Sequence, residues 1–230
     1  MTLVCATAAE QRVARRSASN RRSALVGLGA RNGVPDGPLL SFGLAGALRD
    51  GLAPGTVVDA TRIVDVEGAV LWDDGPLGVP GAEPVTMLAA DRVVDDPDER
   101  RRLHERTGAD AADLESGPLA RSGRLQGVLR AVSDTPSRPL DGLAEGVKED
   151  GGYDWPALAR AFARSPRGFV RSASDAQRAL GRLGGVAQGA RPTGEVDAFG
   201  FLRGFAREPL VTLRAVFGAR RALKSLGALA

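Results

Sequence analysis

Through the first 135 residues, short apolar runs alternate with segments of helical period, and no other feature restricts the fold as much. The runs, at 2–6, 24–28, 39–42, 56–65, 85–89, 110–114 and 127–132, have strand length, and helix-like segments at 8–16, 97–107 and 115–123 fall between them. Strands covered on both faces read as near-continuous apolar stretches, whereas the helices that cover them keep a polar side. The alternation therefore predicts an α/β sheet with helices on its faces. Gly, Ser and acidic residues collect where the runs end, as in Ser41-Phe42-Gly43-Leu44-Ala45-Gly46 and Ser133-Asp134. In open α/β sheets ligands gather at such carboxyl ends, which makes these two stretches the first candidates for a site.

Beyond residue 150 the pattern changes. Residues 153–187 and 196–230 are two ungapped copies of one 35-residue unit, 43 residues apart, with 14 identical positions that include Asp154/Asp197, Phe162/Phe205, Pro166/Pro209 and Leu183/Leu226. Identity in register over that length marks a tandem duplication. Each copy reads as a helix, a proline break and a second helix, with Ser165 placed to cap the second helix of the first copy and Pro166 at its first position. Phe169, Ala173, Ala176, Leu180 and Leu183 fall on one helical face and Arg171, Arg178 and Arg182 elsewhere. The expected organisation is an α/β domain over 1–150 and a duplicated helical extension over 151–230.

Charge follows the same division. Residues 153–230 carry 13 Lys and Arg against 5 Asp and Glu, while residues 1–152 carry 18 against 23, so an acidic body bears a basic tail. An amphipathic basic tail packs its apolar stripe on a core or on another subunit, or lies on an anionic membrane surface; the pattern leaves both open. No nucleic-acid partner is expected. One histidine and one cysteine leave almost no material for a zinc site, a histidine triad or a disulfide framework, and no metal is expected. His104 sits in a charged run and reads as a surface helix residue, and Cys5 sits in an apolar run and reads as a small buried hydrophobe. Gly27-Leu28-Gly29 lacks dinucleotide-loop spacing, and no Walker sequence is present, so neither NAD nor ATP is expected. No apolar run approaches the roughly 18 residues of a membrane span, and the first nine residues lack the pattern of a signal peptide, which predicts a cytoplasmic protein.

Three segments taken together carry a family resemblance. They are Leu3-Val4-Cys5-Ala6-Thr7-Ala8-Ala9-Glu10; Ser41-Phe42-Gly43-Leu44-Ala45-Gly46-Ala47-Leu48 with the run 52–58 after it; and Ala112-Asp113-Leu114-Glu115-Ser116 followed by Val128-Leu129-Arg130-Ala131-Val132-Ser133-Asp134. In this order they resemble the purine nucleoside phosphorylase and nucleosidase superfamily, the second segment matching its glycine-rich loop. The resemblance implies a phosphorylase-like mixed sheet and cleavage of the N-glycosidic bond of a purine nucleoside. It implies Asp134 as the acid that protonates the purine, Glu115 as the acceptor for ribose hydroxyls, and Leu114 against the sugar face. It further implies Val93, Gly43 and Ser133 at the substrate, Glu10 as the base that activates water, and Arg130 with Leu44 at the nucleophile. Breaking a ribosyl C–N bond builds positive charge on the sugar and negative charge on the base, and these residue types answer that need.

Water and phosphate remain alternative nucleophiles, with inorganic phosphate as a co-substrate in the second case and no other cofactor. Within the superfamily the chain is most similar to the hopanoid-associated phosphorylases, which carry a Pro-containing linker and arginine-rich helices after the catalytic Asp. That likeness implies adenosylhopane as substrate, adenine as product and a peripheral position at the membrane. Nucleosidases of methylthioadenosine or adenosylhomocysteine, futalosine hydrolases, and a non-catalytic membrane-peripheral or scaffold homologue are the alternatives. The family also implies a homo-oligomer. Two departures stand out: Leu44 occupies a position where the nucleosidases often place a hydroxyl, and residues 29–37 are too few for the helix that usually precedes the glycine-rich segment.

Overall fold

The sequence order of apolar and helical segments is realised in a computed structural model that describes residues 1–18 and 21–188. The strands are β1 (Thr2–Cys5), β2 (Arg22–Leu25), β3 (Leu39–Ala47), β4 (Val57–Val64), β5 (Val70–Trp72), β6 (Glu83–Ala89), β7 (Ala111–Asp113) and β8 (Leu125–Asp134). The helices are α1 (Ala8–Ser17), α2 (Pro97–Thr107), α3 (Ser116–Arg121), α4 (Trp155–Arg164) and α5 (Pro166–Ala187). This is the expected α/β class, a mixed sheet flanked by helices. The second copy of the duplicated unit, 196–230, lies outside the described residues.

Five strands close on themselves. β3 pairs parallel with β8, β8 antiparallel with β4, β4 parallel with β6, β6 parallel with β7, and β7 antiparallel with β3. β1 and β2 extend the sheet from β3, and β5 extends it from β4. Closure leaves the ring without an open edge and brings the ends of β3, β7 and β8 together.

The glycine-rich stretch does not form a loop; it is the interior of the nine-residue β3. Glycine normally weakens a strand, but here the register explains it, since Gly43 lies opposite Arg130 and Gly46 opposite Asp134. A β-carbon on Gly43 would collide with Glu10 and come within 2.6 Å of Arg130 Nη1, and one on Gly46 would come within 2.8 Å of Asp134 Oδ2. The glycines are spaces in the strand through which neighbouring charged side chains pass. β5, only three residues long, escapes the sequence pattern because it merely hairpins back from β4, with Trp72 opposite Ile63.

Local chemistry sets the helix ends. Asp96 accepts from Glu99 N at 2.7 Å at the start of α2, Pro97 follows, and Gly108 closes the helix at φ +69°. Asp154 caps α4 through Ala157 N at 2.9 Å. Ser165 holds the cap position of α5 but, contrary to expectation, its hydroxyl makes no capping hydrogen bond.

The helices of the first repeat copy pack against the body. α5 lays Ala179, Leu183 and Val186 onto Leu3, Phe42 and Leu129 of the sheet, so its apolar stripe faces the core. It also grips the segment after β8: Ser172 Oγ donates to Pro139 O at 3.0 Å, Arg171 pairs with Asp141, and the buried Asp175 pairs with Arg138 at 2.8 Å. That segment crosses from β8 to α4, and Leu28 N, Ala8 N and the Asn32 amide are bonded to its carbonyls at Glu149, Gly151 and Asp150.

Leu183 is fully buried, so Leu183→Ala leaves a cavity under the sheet and is expected to cost about 2–5 kcal/mol, read by urea unfolding. A change below 1 kcal/mol would contradict a core role for α5.

Candidate active site

At the closed end of the ring a cleft of about 190 Å³ lies between the carboxyl ends of β1, β3 and β8, the segment after β6, the start of α3 and the segment that follows β8. Its apolar wall comes from Leu28, Leu44, Leu140, Leu143, Ala144 and Val147. Two groups of charged residues stand against it.

The first group centres on Arg130, whose side chain is wholly buried. Its Nη2 donates to Ser41 Oγ at 2.8 Å and Glu115 Oε2 at 3.1 Å and forms an ion pair with Asp113 Oδ2 at 2.7 Å, and its Nη1 donates to Leu44 O at 3.2 Å and lies 3.9 Å from Glu10 Oε1. Three carboxyl groups thus converge on one guanidinium. Burial works against the charge on Arg130, but the adjacent carboxylates outweigh it and push its proton affinity above the ordinary arginine value. Glu115 moves the other way for an acid: burial pushes it up to about 7, with Asp113 and Glu10 adding to the rise and Arg130 and the Gly29 N–H opposing it. That N–H donates to Glu115 Oε1 at 3.0 Å. In place of a longer helix, Leu28–Ala30 form a single tight turn, and it is from this turn that Gly29 reaches the Glu115 carboxyl.

Glu10 belongs to the helix and to the cleft at once. It completes a capping box with Thr7, whose N–H donates to Glu10 Oε2 at 2.8 Å, while Leu44 N donates to Glu10 Oε1 at 2.8 Å. A carboxylate offers about four lone-pair sites, so acceptor capacity remains for a third donor. Asp113 locks the turn into α3 by accepting Ser116 N at 2.9 Å and Ser116 Oγ at 2.6 Å while it holds Arg130.

The second group centres on Asp134, 4% exposed at the end of β8. Its Oδ2 accepts from Arg100 and its Oδ1 from Ser133 Oγ. Ser133 is unpaired with β3 because the register slips there, a bulge that frees the strand end to turn toward the cleft. Its hydroxyl also lies 3.3 Å from Ala45 O. A hydroxyl has one proton, so Ser133 can give it to an ionised Asp134, or give it to Ala45 and accept from a protonated one. Burial raises the proton affinity of Asp134, with Arg100 opposing.

The structure brings Glu10, Leu44, Leu114, Glu115, Ser133, Asp134 and Val93 to the cleft wall, Val93 at its rim and 41% exposed. Arg130 and Gly43 stand immediately behind it. Sequence reasoning assigned no role to Arg100, Asp113 or Gly46. Asp113 and Gly46 lie inside the quoted motifs, where a buried hydrogen-bond anchor and a glycine next to a charged strand were available readings. Arg100 carried no such signal within its charged run. Cys5 is fully buried, and burial holds its thiol protonated. His104 is half-buried on α2, with Nδ1 2.7 Å from Ala109 O. Among the described residues no helix is long and apolar enough to cross a membrane.

The chain is similar to a solved Francisella philomiragia protein provisionally named a 5′-methylthioadenosine/S-adenosylhomocysteine nucleosidase, with 15% identity, 82% of this chain and 96% of that one covered, and a TM-score of 0.51. It also matches the 5′-methylthioadenosine/S-adenosylhomocysteine nucleosidase of Helicobacter pylori with butyl-thio-DADMe-Immucillin-A (14% identity, coverage 82% and 97%, TM-score 0.49). Futalosine hydrolase of Helicobacter pylori matches at 15% identity, coverage 58% and 86%, and TM-score 0.43. The first likeness establishes a shared fold. No protein-family model and no curated protein sequence matches the chain.

The raised affinity of Glu115 makes a pH prediction. The folded state binds its proton more tightly than the unfolded state does, so the stability it lends is complete below about 4.5 and is lost as pH rises through about 7. Relative to Glu115→Gln, which cannot ionise, the wild type should lose on the order of 3 kcal/mol between pH 4.5 and 8, read by urea unfolding. Parallel pH dependences in the two proteins would contradict it.

Proposed function

We propose that the protein hydrolyses the N-glycosidic bond of an adenine nucleoside. One observation carries this reading: two buried carboxyls of raised proton affinity, Glu115 and Asp134, stand in one cleft with different surroundings, Glu115 sharing the Arg130 guanidinium with Asp113 and Glu10, and Asp134 paired with Arg100 and Ser133. Sorting two acids by environment is how a site separates a proton donor from a charge stabiliser.

In this reading Asp134 passes its proton to the departing purine, and Ser133 reverses its hydrogen bond as the carboxyl ionises. Glu115 accepts the ribose hydroxyls, with Leu114 against the sugar. Glu10 takes a proton from water as the oxygen bonds to the anomeric carbon. Water is favoured over phosphate as nucleophile because Arg130 is already met by Asp113, Glu115 and Glu10, so a phosphate would enter a region richer in carboxylate than in cation. At Leu44, where the nucleosidases often place a side-chain hydroxyl, the main chain is bonded to Glu10 and Arg130.

The apolar wall suits an apolar group at the ribose 5′ position. A short apolar 5′ substituent, as in a nucleoside of the methylthioadenosine type, is one that this wall can cover. Adenosylhopane is the second reading, supported by the basic charge of residues 153–230 and by the motif resemblance; its polycyclic part would lie outside the cleft, against a membrane.

The test is adenine release from methylthioadenosine, adenosylhomocysteine and adenosylhopane, each with and without phosphate. Release from methylthioadenosine without phosphate is expected, and Asp134→Asn should lower kcat about 10²–10⁴-fold. No release from any substrate would overturn the enzymatic reading in favour of a non-catalytic scaffold. For the second reading, the full chain should co-sediment with anionic but not with neutral vesicles, and equal behaviour with both would remove the membrane component.

A further inference from the structure

One cation at the cleft is misplaced for the helix that carries it. Arg100 lies in the run Asp98-Glu99-Arg100-Arg101-Arg102, where Asp98, Arg101 and Arg102 are exposed, yet Arg100 is 1% exposed and lines the cleft. Its Nε donates to Val94 O at 2.8 Å and its Nη1 to Ala47 O at 3.0 Å, which tie the segment after β6 to the end of β3. The remaining Nη2 donates to Asp134 Oδ2 and lies 3.6 Å from Asp95. Two arms of the fork fix the third.

We propose that Arg100 is the positioning residue for Asp134: it pins Oδ2, leaves Oδ1 as the oxygen that carries the transferable proton, and supplies the counter-charge that lets a buried carboxyl release it. The proposal deepens the nucleosidase reading and rests on it. When the sugar–purine bond breaks, its electron pair goes to the purine, the O–H bond of Asp134 breaks, and the proton joins a ring nitrogen of the base. A carboxylate then remains in a buried site, where an unpaired charge is costly.

The surroundings leave Arg100 as the group that meets this charge. Asp95, on the segment before α2, bears the same sign as the new carboxylate and favours the protonated form. From β3 the facing residue is Gly46, which brings no charge, and from β8 Ser133 brings a neutral donor. Arg92, also on the cleft wall, is engaged with Glu99. A surface arginine beside the site would be screened by solvent, whereas this one acts where water is excluded.

The experiment compares wild type with Arg100→Gln and Arg100→Met, which lose the charge, and Arg100→Lys, which keeps it. Both neutral variants should lower kcat about 10²-fold with KM changed less than threefold, and should move the alkaline limb of the kcat profile up by about one pH unit or more. Arg100→Lys should recover the wild-type limb and most of kcat. An unmoved limb in the folded neutral variants, or a lysine variant that behaves like them, overturns the proposal. The ionisation of Asp134 is also read without turnover, by ¹³C NMR titration of aspartate-labelled protein with Asp134→Asn identifying the signal. Should no purine be released by the wild type, the nucleosidase reading fails while this titration still decides the role of Arg100. A later titration in the neutral variants supports it and an unchanged one overturns it.

Discussion

The buried guanidinium of Arg130 is the interaction on which the site depends. It joins β8 to β3 through Ser41 and Leu44, to β7 through Asp113, to α3 through Glu115 and to α1 through Glu10. Removing an arginine from water is unfavourable by several kcal/mol, and only a well-bonded set of partners offsets that. The fold meets the requirement at both Nη groups, with a glycine opposite the arginine, a hydroxyl under it and acids on neighbouring elements, while Nε is buried without a hydrogen-bond partner. Losing any one carboxylate would relieve the repulsion on the other acids and leave the guanidinium less compensated, so the acids are coupled through their shared partner rather than acting as separate residues.

The cleft is electrically polarised as a consequence. Three carboxyl groups share the cation at the Arg130 end, whereas at the other the buried Arg100 meets the buried Asp134 and the half-exposed Asp95. A reaction that develops positive charge on one fragment and negative charge on its leaving group is favoured by such an arrangement, because the fixed charges need not reorganise as the bond breaks. The apolar wall from the segment after β8 lowers the local dielectric and strengthens both ends.

How much of this was legible in the sequence depends on the range of the interaction. The limits of α2 were readable because Asp96, Pro97 and Gly108 act within one turn of the helix ends. Glu115 and Asp134 were readable because they lie in short motifs whose residues stay adjacent in space. Closure of the ring was not, since the antiparallel contact of Ala111 and Ala112 with Ala47 and Gly46 joins segments about sixty residues apart, and small apolar residues carry no partner code. A loop at Gly43 and Gly46 was implied by the family resemblance; the reason for these glycines lies on another strand. Arg100 was hidden by its charged neighbours, for composition distinguishes a solvated arginine from a buried one only when the partner is known.

The duplicated unit shows the same limit from the other side. In the first copy, positions shared with the second do unlike work: Asp154 caps a helix, Arg171 holds the segment over the cleft, and Leu183 fills the core beneath the sheet. A repeat is read from identity, yet that identity cannot say which of these contacts a second copy keeps. Ser172 and Asp175, which bind Pro139 and Arg138, are replaced by Ala215 and Gly218. The two copies therefore share one of the polar residues that tie the first to the segment after β8, Arg171 with Arg214, and differ at the other two, so sequence identity between them is not identity of contacts.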